Sequence, residues 1–499
     1  MELTQIGAVT ALIGLYVVMF GTVRSAVYFI VISAIMQGSA AISLPSLGGA
    51  TIPVGHFAMV FALLKIFTPK GGYHGLFPAA VRDHRWLVMF VFYGVAMAYL
   101  GPRLLAGDVM LFPMQPTPGL GDFETVPLAP SAQNVTGALF MVGALLLGLI
   151  GYIFSRVPGA QKAFIGAILF AGWLHAITGV VDIATRGTPM AEILNSFRNV
   201  NHNLLDHSTD GFIRIRGTLA EASVYAAQGF ILFVVSAEMW YRSIRPRATG
   251  ALAGALALIL VISTASTAYV SLAVYGIFFV VRATLFPSVA PKGKMMRAAI
   301  LGFAILCILS ATFAVVPQVL LGIWNLVADM TLDKPQSFSG QQRLFWAQQG
   351  WNAFLGSYGL GVGPGSFRSS SIVTAILGSV GVFGTIAFLL HFKRVFMAAR
   401  RSTWGIGPTP QETLGGAFGT AAILGLTPAI VNAPHASPSE LISIIAGASI
   451  ALRAFALQSD GAAAREAVTH RAASRTAGQR PTQPPPRFSR EPIARARRT

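Results

Sequence analysis

Two arginines flank a glycine-rich run in the second half of the chain, and their residue type favours binding of an anionic group. Arg343 and Arg368 lie in the run RLFWAQQGWNAFLGSYGLGVGPGSFRSSS, which leads directly into an apolar stretch. Guanidiniums are planar and permanently charged, so they bind anionic oxygens bidentately and stabilise charge that develops during a reaction. A polar segment of about fifty residues between two apolar stretches is uncommon unless it has a function. We therefore expect the chemistry of this protein in this segment.

A second polar cluster, RNVNHNLLDHSTDGFIRIRG, precedes the seventh apolar stretch. It contains His202, Arg214 and Arg216. Glu221 follows Arg214 by seven residues, so a continuous helix would place both on one face, with Tyr225 one turn further along. A carboxylate without a partner is costly in apolar surroundings. Two interpretations stay open, an Arg–Glu pair that stabilises a helix end and a catalytic pair at the opening of a helix bundle.

Metal, nucleotide and disulfide chemistry find little support in the sequence. The spacing of His202, Asp206, His207 and Asp210 matches no specific metal-ligand pattern. The run GLGVGPGSF lacks the lysine and the preceding strand of a phosphate-binding loop, and its glycines are better suited to tight backbone bends as the segment re-enters the membrane. A single cysteine, Cys307, forms no intrachain disulfide or thiolate metal site. We predict neither a metal nor a cofactor.

The composition places these residues in a polytopic membrane protein. Hydrophobic residues make up 54% of the 499, charged residues only 11%, and there are 52 glycines. The sequence predicts an all-α fold with about 12–13 transmembrane helices. The apolar stretches are 5–22, 25–43, 51–68, 85–100, 134–155, 162–184, 217–241, 250–265, 267–285, 297–318, 371–392, 412–431 and 437–456.

The basic residues predict how the spans are oriented. With alternating spans, 28 of the 36 lysines and arginines fall on one side, which is therefore cytoplasmic. This places the N-terminus and the segments 101–133, 185–216 and 319–370 outside. Residues 1–456 form the transmembrane domain, and 457–499 form a disordered, basic cytoplasmic tail. The net charge of +18 thus reflects topology and contact with membrane lipids, and no nucleic-acid partner is expected.

Other polar and aromatic residues have structural interpretations. Asp182 precedes Arg186 by one helical turn, which favours an ion pair, and His175 is typical of a core histidine with satisfied hydrogen bonds. Trp346 and Trp351 fit interfacial anchors better than sugar-stacking platforms. None of these four residues requires a catalytic role.

Several motifs together resemble the bacterial O-antigen polymerase and O-antigen ligase superfamily. RIRGTLAEASVYAA resembles the signature at the start of a central span, and STASTAYVSLAV resembles the polar turn before the second half. The third motif is R-x-x-W, then G-x-G-x-G-S-F, then a span with G-x-x-G. Its residues here are Arg343, Trp346, Gly361, Gly363, Gly365, Ser366, Phe367, Gly381 and Gly384.

The resemblance implies a metal-independent glycosyltransferase of the bacterial inner membrane. Such a protein takes a polyprenyl-pyrophosphate-linked glycan as donor and extends a glycan at the external face, alongside other polysaccharide assembly proteins. The catalytic residues implied are Arg343, Arg216, Arg214 and Glu221. The substrate-binding residues implied are Arg368, Trp346, Gly363, Gly365, Ser370 and His202.

One departure from the family pattern bears on the reaction. Where many members have a His-Asn pair before the G-x-x-G span, this chain has Ser370 and Ser371. The missing histidine favours a polymerase over a ligase, or else moves proton handling to Glu221 or to a histidine such as His435.

A ligase and a transporter or flippase are the alternatives. A transporter shows related halves and discontinuous helices, and we find no internal repeat.

Overall fold

A computed structural model describes residues 2–45, 49–68, 73–115, 119–200, 214–286, 291, 293–298, 300, 336–397 and 401–454. Over these ranges the chain is mostly helical, which confirms the all-α prediction. His202 and the neighbouring metal candidates lie outside the described residues. Most of the predicted 297–318 span, the first part of the 319–370 segment and the tail 457–499 also lie outside them.

Helices form nearly all of the regular structure. They are α1 Gln5–Met19, α2 Val23–Ala34, α3 Val54–Phe67, α4 Phe77–Asp83, α5 Arg85–Leu104, α6 Ala132–Ser155, α7 Ala160–Ala184, α8 Ala191–Ser196, α9 Ala222–Tyr241, α10 Pro246–Ile262, α11 Ser266–Leu285, α12 Phe338–Gly356, α13 Ile372–Phe396, α14 Arg401–Trp404, α15 Pro410–Leu424, α16 Thr427–Val431 and α17 440–454. In the described part of the chain, seven helical segments are long and apolar enough to cross a membrane, namely α5, α6, α7, α9, α11, α13 and α15 with α16. Helices α1, α2, α3 and α10 are apolar but shorter.

Short strands occur in two places. Strand β1, Glu2–Leu3, pairs antiparallel with β2, Ala40–Leu44, which pairs with β3, Ala50–Pro53. Strands β4, Met110–Leu111, and β5, Val126–Pro127, form a second antiparallel pair between α5 and α6. The first sheet therefore holds the N-terminus beside the turn that joins α2 to α3.

Twelve of the thirteen predicted apolar stretches coincide with a helix of the described chain. The 25–43 prediction is too long, because α2 ends at Ala34 and the chain becomes strand β2 at residue 40. Gly38 lies in this connection, where a side chain would overlap the carbonyl of Thr218. The hydrophobic pattern extended this helix because apolar strand residues continue the same apolar run.

Glycines bring several helices into backbone contact. A side chain on Gly151 of α6 would overlap the carbonyl oxygen of Ile444 in α17, and one on Gly447 of α17 would overlap that of Gly148 in α6. Small residues at such contacts are typical of membrane helix packing, where close approach of backbones provides the attraction. This packing accounts for part of the high glycine content.

The bundle has two ends that differ in charge and chain length. We use long-loop end for the end marked by Leu104, Ala132, Ala184, Ala222 and Ile372, where the long connecting segments join the helices. We use basic end for the opposite end, where the connections are shorter and carry most of the lysines and arginines.

A buried ion cluster joins helices at the basic end. The carboxylate of Glu238 in α9 accepts hydrogen bonds from Arg242, from Nη1 of Arg282 at 2.8 Å and from the hydroxyl of Tyr275 at 3.0 Å. Arg242 also donates to the carbonyl of Thr403 at 2.7 Å. Buried charges are tolerated when they are paired and hydrogen-bonded. The cluster therefore ties α9 to α11 and to the segment that follows α13.

Removal of this carboxylate should destabilise the bundle. In Glu238→Ala, Arg242 and Arg282 lose their only acidic partner among the described ion pairs, so we expect the free energy of unfolding to fall by about 3–5 kcal/mol. Chemical unfolding in detergent measures this. Glu192→Ala, which removes an exposed acid in α8, is the control and should change it by less than about 0.5 kcal/mol. Equal stability of the two variants would contradict the role given to Glu238.

Candidate functional site

Helix α12 enters the bundle beside α13, and the chain then returns to the long-loop end before α13 begins. The amide of Val382 in α13 donates to the carbonyl of Gly359 at 2.9 Å. The hydroxyl of Tyr93, near the middle of α5, donates to the carbonyl of Leu360 at 2.9 Å. The turn after α12 thus lies at mid-length of α5 and α13, where Tyr358 and Leu360 are exposed on the outer surface of the helices. We call residues 338–371 the re-entrant hairpin.

The two ends of the re-entrant hairpin meet at the long-loop end. The hydroxyl of Ser370 donates to the carbonyl of Arg343 at 2.5 Å. The carbonyl of Ser370 in turn accepts from the amide of Ala433 at 3.2 Å. Ser370, predicted to bind substrate, therefore holds the position of Arg343. From Phe338 onward the predicted external loop 319–370 is a helix that packs against the bundle with one face and a return segment that is buried between helices.

Three glycines allow the return segment to pass between helices. Gly361, Gly363 and Gly365 have φ values of 91°, 92° and 82°, a region that other residues avoid. A side chain at position 363 would overlap the carbonyl oxygen of Met97 in α5, and one at position 365 would overlap that of Gln133 in α6. The glycines therefore serve backbone packing, and the geometry gives no support to substrate binding by Gly363 and Gly365.

The return segment also completes a break in α13. Gly381 has φ 56° and ψ −156°, which interrupts the helix. The amide of Val362 donates to the carbonyl of Gly378 at 2.8 Å, and the amide of Gly363 donates to the carbonyl of Ser379 at 3.0 Å. Backbone groups within a membrane domain need such partners because no water replaces them. The hairpin and the break thus depend on each other.

The hairpin brings two arginines to a third arginine and a carboxylate. Arg343 lies in the first part of α12, and Arg368 lies at the end of the return segment. Arg214 precedes α9, and Glu221 is the residue just before that helix. All four side chains are half-buried. We call these four residues the arginine cluster.

Electrostatic interactions show that the four residues are neighbours. Burial lowers the pKa of Arg343, and the Glu221 carboxylate partly offsets this effect. The same two causes act on the pKa of Arg368. Burial also lowers the pKa of Arg214, the charge of Arg343 lowers it further, and Glu221 raises it. Glu221 thus acts on all three guanidiniums electrostatically without forming any of the described ion pairs, and positive charge exceeds negative charge in a partly desolvated place.

Some donors of the arginine cluster have no hydrogen-bond acceptor. Nε of Arg214 and Nε of Arg368 are buried and make no hydrogen bond to the part of the chain that the structure describes. The Arg368 guanidinium lies 4.2 Å from the ring centroid of Trp346. The backbone amide of Arg368 donates to the carbonyl of Phe112 at 3.1 Å. Trp346 therefore supports Arg368 with one face of its ring. Nε of Arg242 and of Arg282 in the Glu238 cluster also lacks an acceptor among the described residues, so these free donors are consistent with an anionic ligand but are not specific to this site.

The predicted helical face shared by Arg214 and Glu221 is wrong. Helix α9 begins at Ala222, and Glu221 has extended backbone angles of φ −128° and ψ 149°. Gly217, with φ 55°, bends the preceding segment away from a helical path. The hydroxyl of Ser223 donates to Oε2 of Glu221 at 3.0 Å. Arg214 and Glu221 come together through tertiary structure and not through helical spacing.

Asp182 fixes the segment that carries Arg216. Its carboxylate accepts from Arg186 at 3.2 Å, from Arg198 at 2.5 Å and from the backbone amide of Arg216 at 2.9 Å. Nε of Arg198 also donates to the carbonyl of Gly217 at 3.0 Å. The predicted pair of Asp182 and Arg186 is confirmed, and the buried contact with Arg198 was missed. These contacts fix the position of the Arg216 backbone. They do not test its side chain, so a catalytic role for the guanidinium stays a prediction.

The structure confirms that His175 is a core residue, but the prediction of satisfied hydrogen bonds is wrong, because its Nε2 is buried and makes no hydrogen bond to the part of the chain that the structure describes. Its ring is stacked on that of Tyr225, with centroids 4.0 Å apart, and both residues are buried. The hydroxyl of Tyr225 donates to the carbonyl of His175 at 2.9 Å. Tyr225 therefore packs against α7 and is not part of the arginine cluster.

A histidine–glutamate pair near the return segment was missed in the sequence. Nδ1 of His56, at the start of α3, is hydrogen-bonded to Glu440 at the start of α17. The ring of Phe140 contacts His56 and His435 with centroids 5.1 and 5.4 Å away. The chain just before His435 contacts the return segment, because Pro434 accepts from the amide of Ser369 at 3.4 Å. The sequence signal for this pair was an acidic residue, Glu440, near the start of the apolar stretch 437–456.

Within the described ranges, no three His, Cys, Asp or Glu residues are grouped as a metal site. No protein-family model matches the chain, and no curated protein matches it in sequence. Function is therefore argued from the geometry of the site and from the sequence motifs.

The contact of the return segment with α6 can be tested by mutation. In Gly365→Ala the new methyl group meets the Gln133 carbonyl and also forces an unfavourable φ, so we expect a loss of about 3 kcal/mol or more. Gly119→Ala is the matched control, because its φ is 93° but no atom lies near the new group. That variant should lose about 1 kcal/mol. Unfolding in detergent measures both, and equal losses would contradict the packing role of Gly365.

Proposed function

We propose that this protein is a glycan polymerase of a bacterial inner membrane. It transfers a polyprenyl-pyrophosphate-linked oligosaccharide onto a glycan acceptor at the long-loop end, which faces outward. The basic end and the C-terminal tail lie on the cytoplasmic side. Transfer uses neither metal nor nucleotide.

The arginine cluster is the observation that carries the proposal. Arg214, Arg343 and Arg368 come from three separate segments, are half-buried and outnumber Glu221 in charge. The structural arginines Arg242 and Arg282 each form a direct ion pair with Glu238, whereas none of the described ion pairs involves the three arginines of the cluster. An excess of partly desolvated guanidiniums is suited to a multiply charged anion such as a pyrophosphate.

The proposed reaction requires little beyond charge stabilisation and proton removal. The acceptor hydroxyl oxygen forms a bond to the anomeric carbon of the donor, and the bond from that carbon to the pyrophosphate oxygen breaks. The lipid pyrophosphate leaves with the electron pair, and the arginines stabilise its developing charge. Glu221, beside all three arginines, takes the proton of the hydroxyl.

The polymerase is preferred over the two alternatives on specific grounds. A ligase would use the same cluster, but Ser370 and Ser371 replace the histidine-bearing pair that the resemblance leads one to expect. A transporter is consistent with the break in α13, since discontinuous helices line transport sites. Here the carbonyls at the break accept hydrogen bonds from the amides of Val362 and Gly363, so they are not free to bind a transported substrate.

The proposal can be tested by the masses of lipid-linked glycans in cells. Cells that lack the protein should accumulate single repeats on polyprenyl pyrophosphate, and the wild-type gene should restore long chains. Arg343→Ala and Arg368→Ala should each fail to restore them, with losses of about 100-fold or more, because pyrophosphate charge is no longer stabilised. Each variant should be present in the membrane at the wild-type level.

Arg103→Ala is the matched control for these variants. Arg103 lies at the same end of the bundle but is exposed, and among the described residues its side chain interacts with Tyr99 of its own helix, so this variant should restore long chains. Restoration by Arg343→Ala would refute the role of the cluster. Accumulation of long lipid-linked chains in the deletion strain would identify a ligase, and an unchanged glycan profile would refute glycan transfer.

The role of Glu221 can be tested separately from charge binding. Glu221→Gln keeps the size of the side chain but removes its ability to accept a proton, so the rate of transfer should fall by about 10²–10⁴-fold. The affinity for the pyrophosphate donor should not weaken, because a competing negative charge is removed. Steady-state transfer rates, measured over a range of donor concentrations in membranes that contain each variant, give both the maximal rate and the apparent affinity for the donor. A wild-type rate for Glu221→Gln would exclude it as the proton acceptor.

A further inference from the structure

A cavity of about 490 Å³ opens at the basic end, away from the arginine cluster. It lies where four connections between consecutive helices meet, one of which carries Tyr73 between α3 and α4. Val23 lies at the start of α2, Gly159 precedes α7, and Arg245 precedes α10. The cavity is thus a property of the bundle and not of one loop.

The walls of this cavity carry three positive charges. Arg24, Lys162 and Arg245 line it, and none of the lining residues is acidic. Within the described ranges, none of the three forms an ion pair. Other arginines at the same end, such as Arg242 and Arg394, do pair with acids. The three cations are therefore gathered without an acidic ion-pair partner among the residues that the structure describes.

One further feature favours an anion in this cavity. Helix α7, of 25 residues, starts at the cavity wall, so its first amide groups and its dipole add positive potential. Together with the three cations, whose side chains are exposed, this helix end gives the cavity a positive potential.

We propose that this cavity binds a phosphate-bearing anion and that its usual occupant is the headgroup of an anionic phospholipid. The cavity lies at helix ends and is lined by Tyr28 and Tyr73, and tyrosine is typical of the depth at which lipid headgroups lie. Its volume exceeds that of a phosphate group and leaves room for the glycerol part of a headgroup. Basic pockets between helix ends on the cytoplasmic side bind such headgroups.

The test uses the full-length protein purified in neutral detergent. Thermal unfolding is followed during titration with short-chain phosphatidylglycerol, with phosphatidylcholine of the same chain length and with inorganic phosphate. Phosphatidylglycerol should stabilise the wild type more than phosphatidylcholine does. The triple variant Arg24→Gln/Lys162→Gln/Arg245→Gln should bind it about 100-fold more weakly, which corresponds to about fivefold for each cation removed.

A second triple variant controls for general attraction between lipid and a basic protein. Arg247→Gln/Arg297→Gln/Lys393→Gln removes the same charge from exposed residues outside the cavity and should keep wild-type affinity within about twofold. Should the first triple variant fail to fold, Lys162→Gln alone should still show the fivefold loss. Binding of inorganic phosphate that the first triple variant abolishes would support the anion site and identify a free anion as occupant. Unchanged lipid affinity in the cavity variants, or equal binding of the two lipids, would overturn the proposal.

Discussion

The need to bond every backbone group inside a membrane domain is the constraint on which this structure depends most. The break at Gly381 frees carbonyls of α13, and the return segment of the re-entrant hairpin supplies amides to them. That segment can approach only because Gly363 and Gly365 have no side chains. Since Arg368 lies at the end of the same segment, the backbone bonds of the break also determine where this guanidinium is held.

The charged side chains at the two ends of the bundle differ in how they are paired. At the basic end, Glu238 is bonded to two arginines and a tyrosine, and the whole group is buried. At the long-loop end, three half-buried arginines interact electrostatically with one carboxylate, and none of the described ion pairs joins them to it. The first arrangement pairs its cations directly with an acid and stabilises the fold, whereas the second leaves its cations without a direct acidic partner and is suited to binding an added anion.

The sequence predicted the helices well because the apolar stretches are long and clearly bounded. It also named Arg214, Arg343, Arg368 and Glu221 among its candidate site residues, and the structure brings these four close enough to interact electrostatically. It failed where tertiary contacts override local pattern. The helix expected at Arg214 is absent because Gly217 and the bonds to Asp182 hold that segment extended.

Partners far apart in the chain were also beyond the sequence. The pair of His56 and Glu440 joins residues that are 384 positions apart, and helical spacing gives no information on such contacts. The same limit applies to the cavity at the basic end, whose walls come from several separate connections between helices. In both cases the sequence shows the residue types, but which residues come into contact depends on how the helices pack.

Transfer by the purified protein is the measurement that tests the proposed function most directly. The wild-type protein would be reconstituted into liposomes with its polyprenyl-pyrophosphate-linked repeat as the sole glycan, and product masses would be followed with time. The proposed polymerase predicts chains that lengthen by whole repeats with release of polyprenyl pyrophosphate, without added metal or nucleotide, and no growth with Arg343→Ala. Equal growth with that variant, or no growth with the wild-type protein, would contradict it.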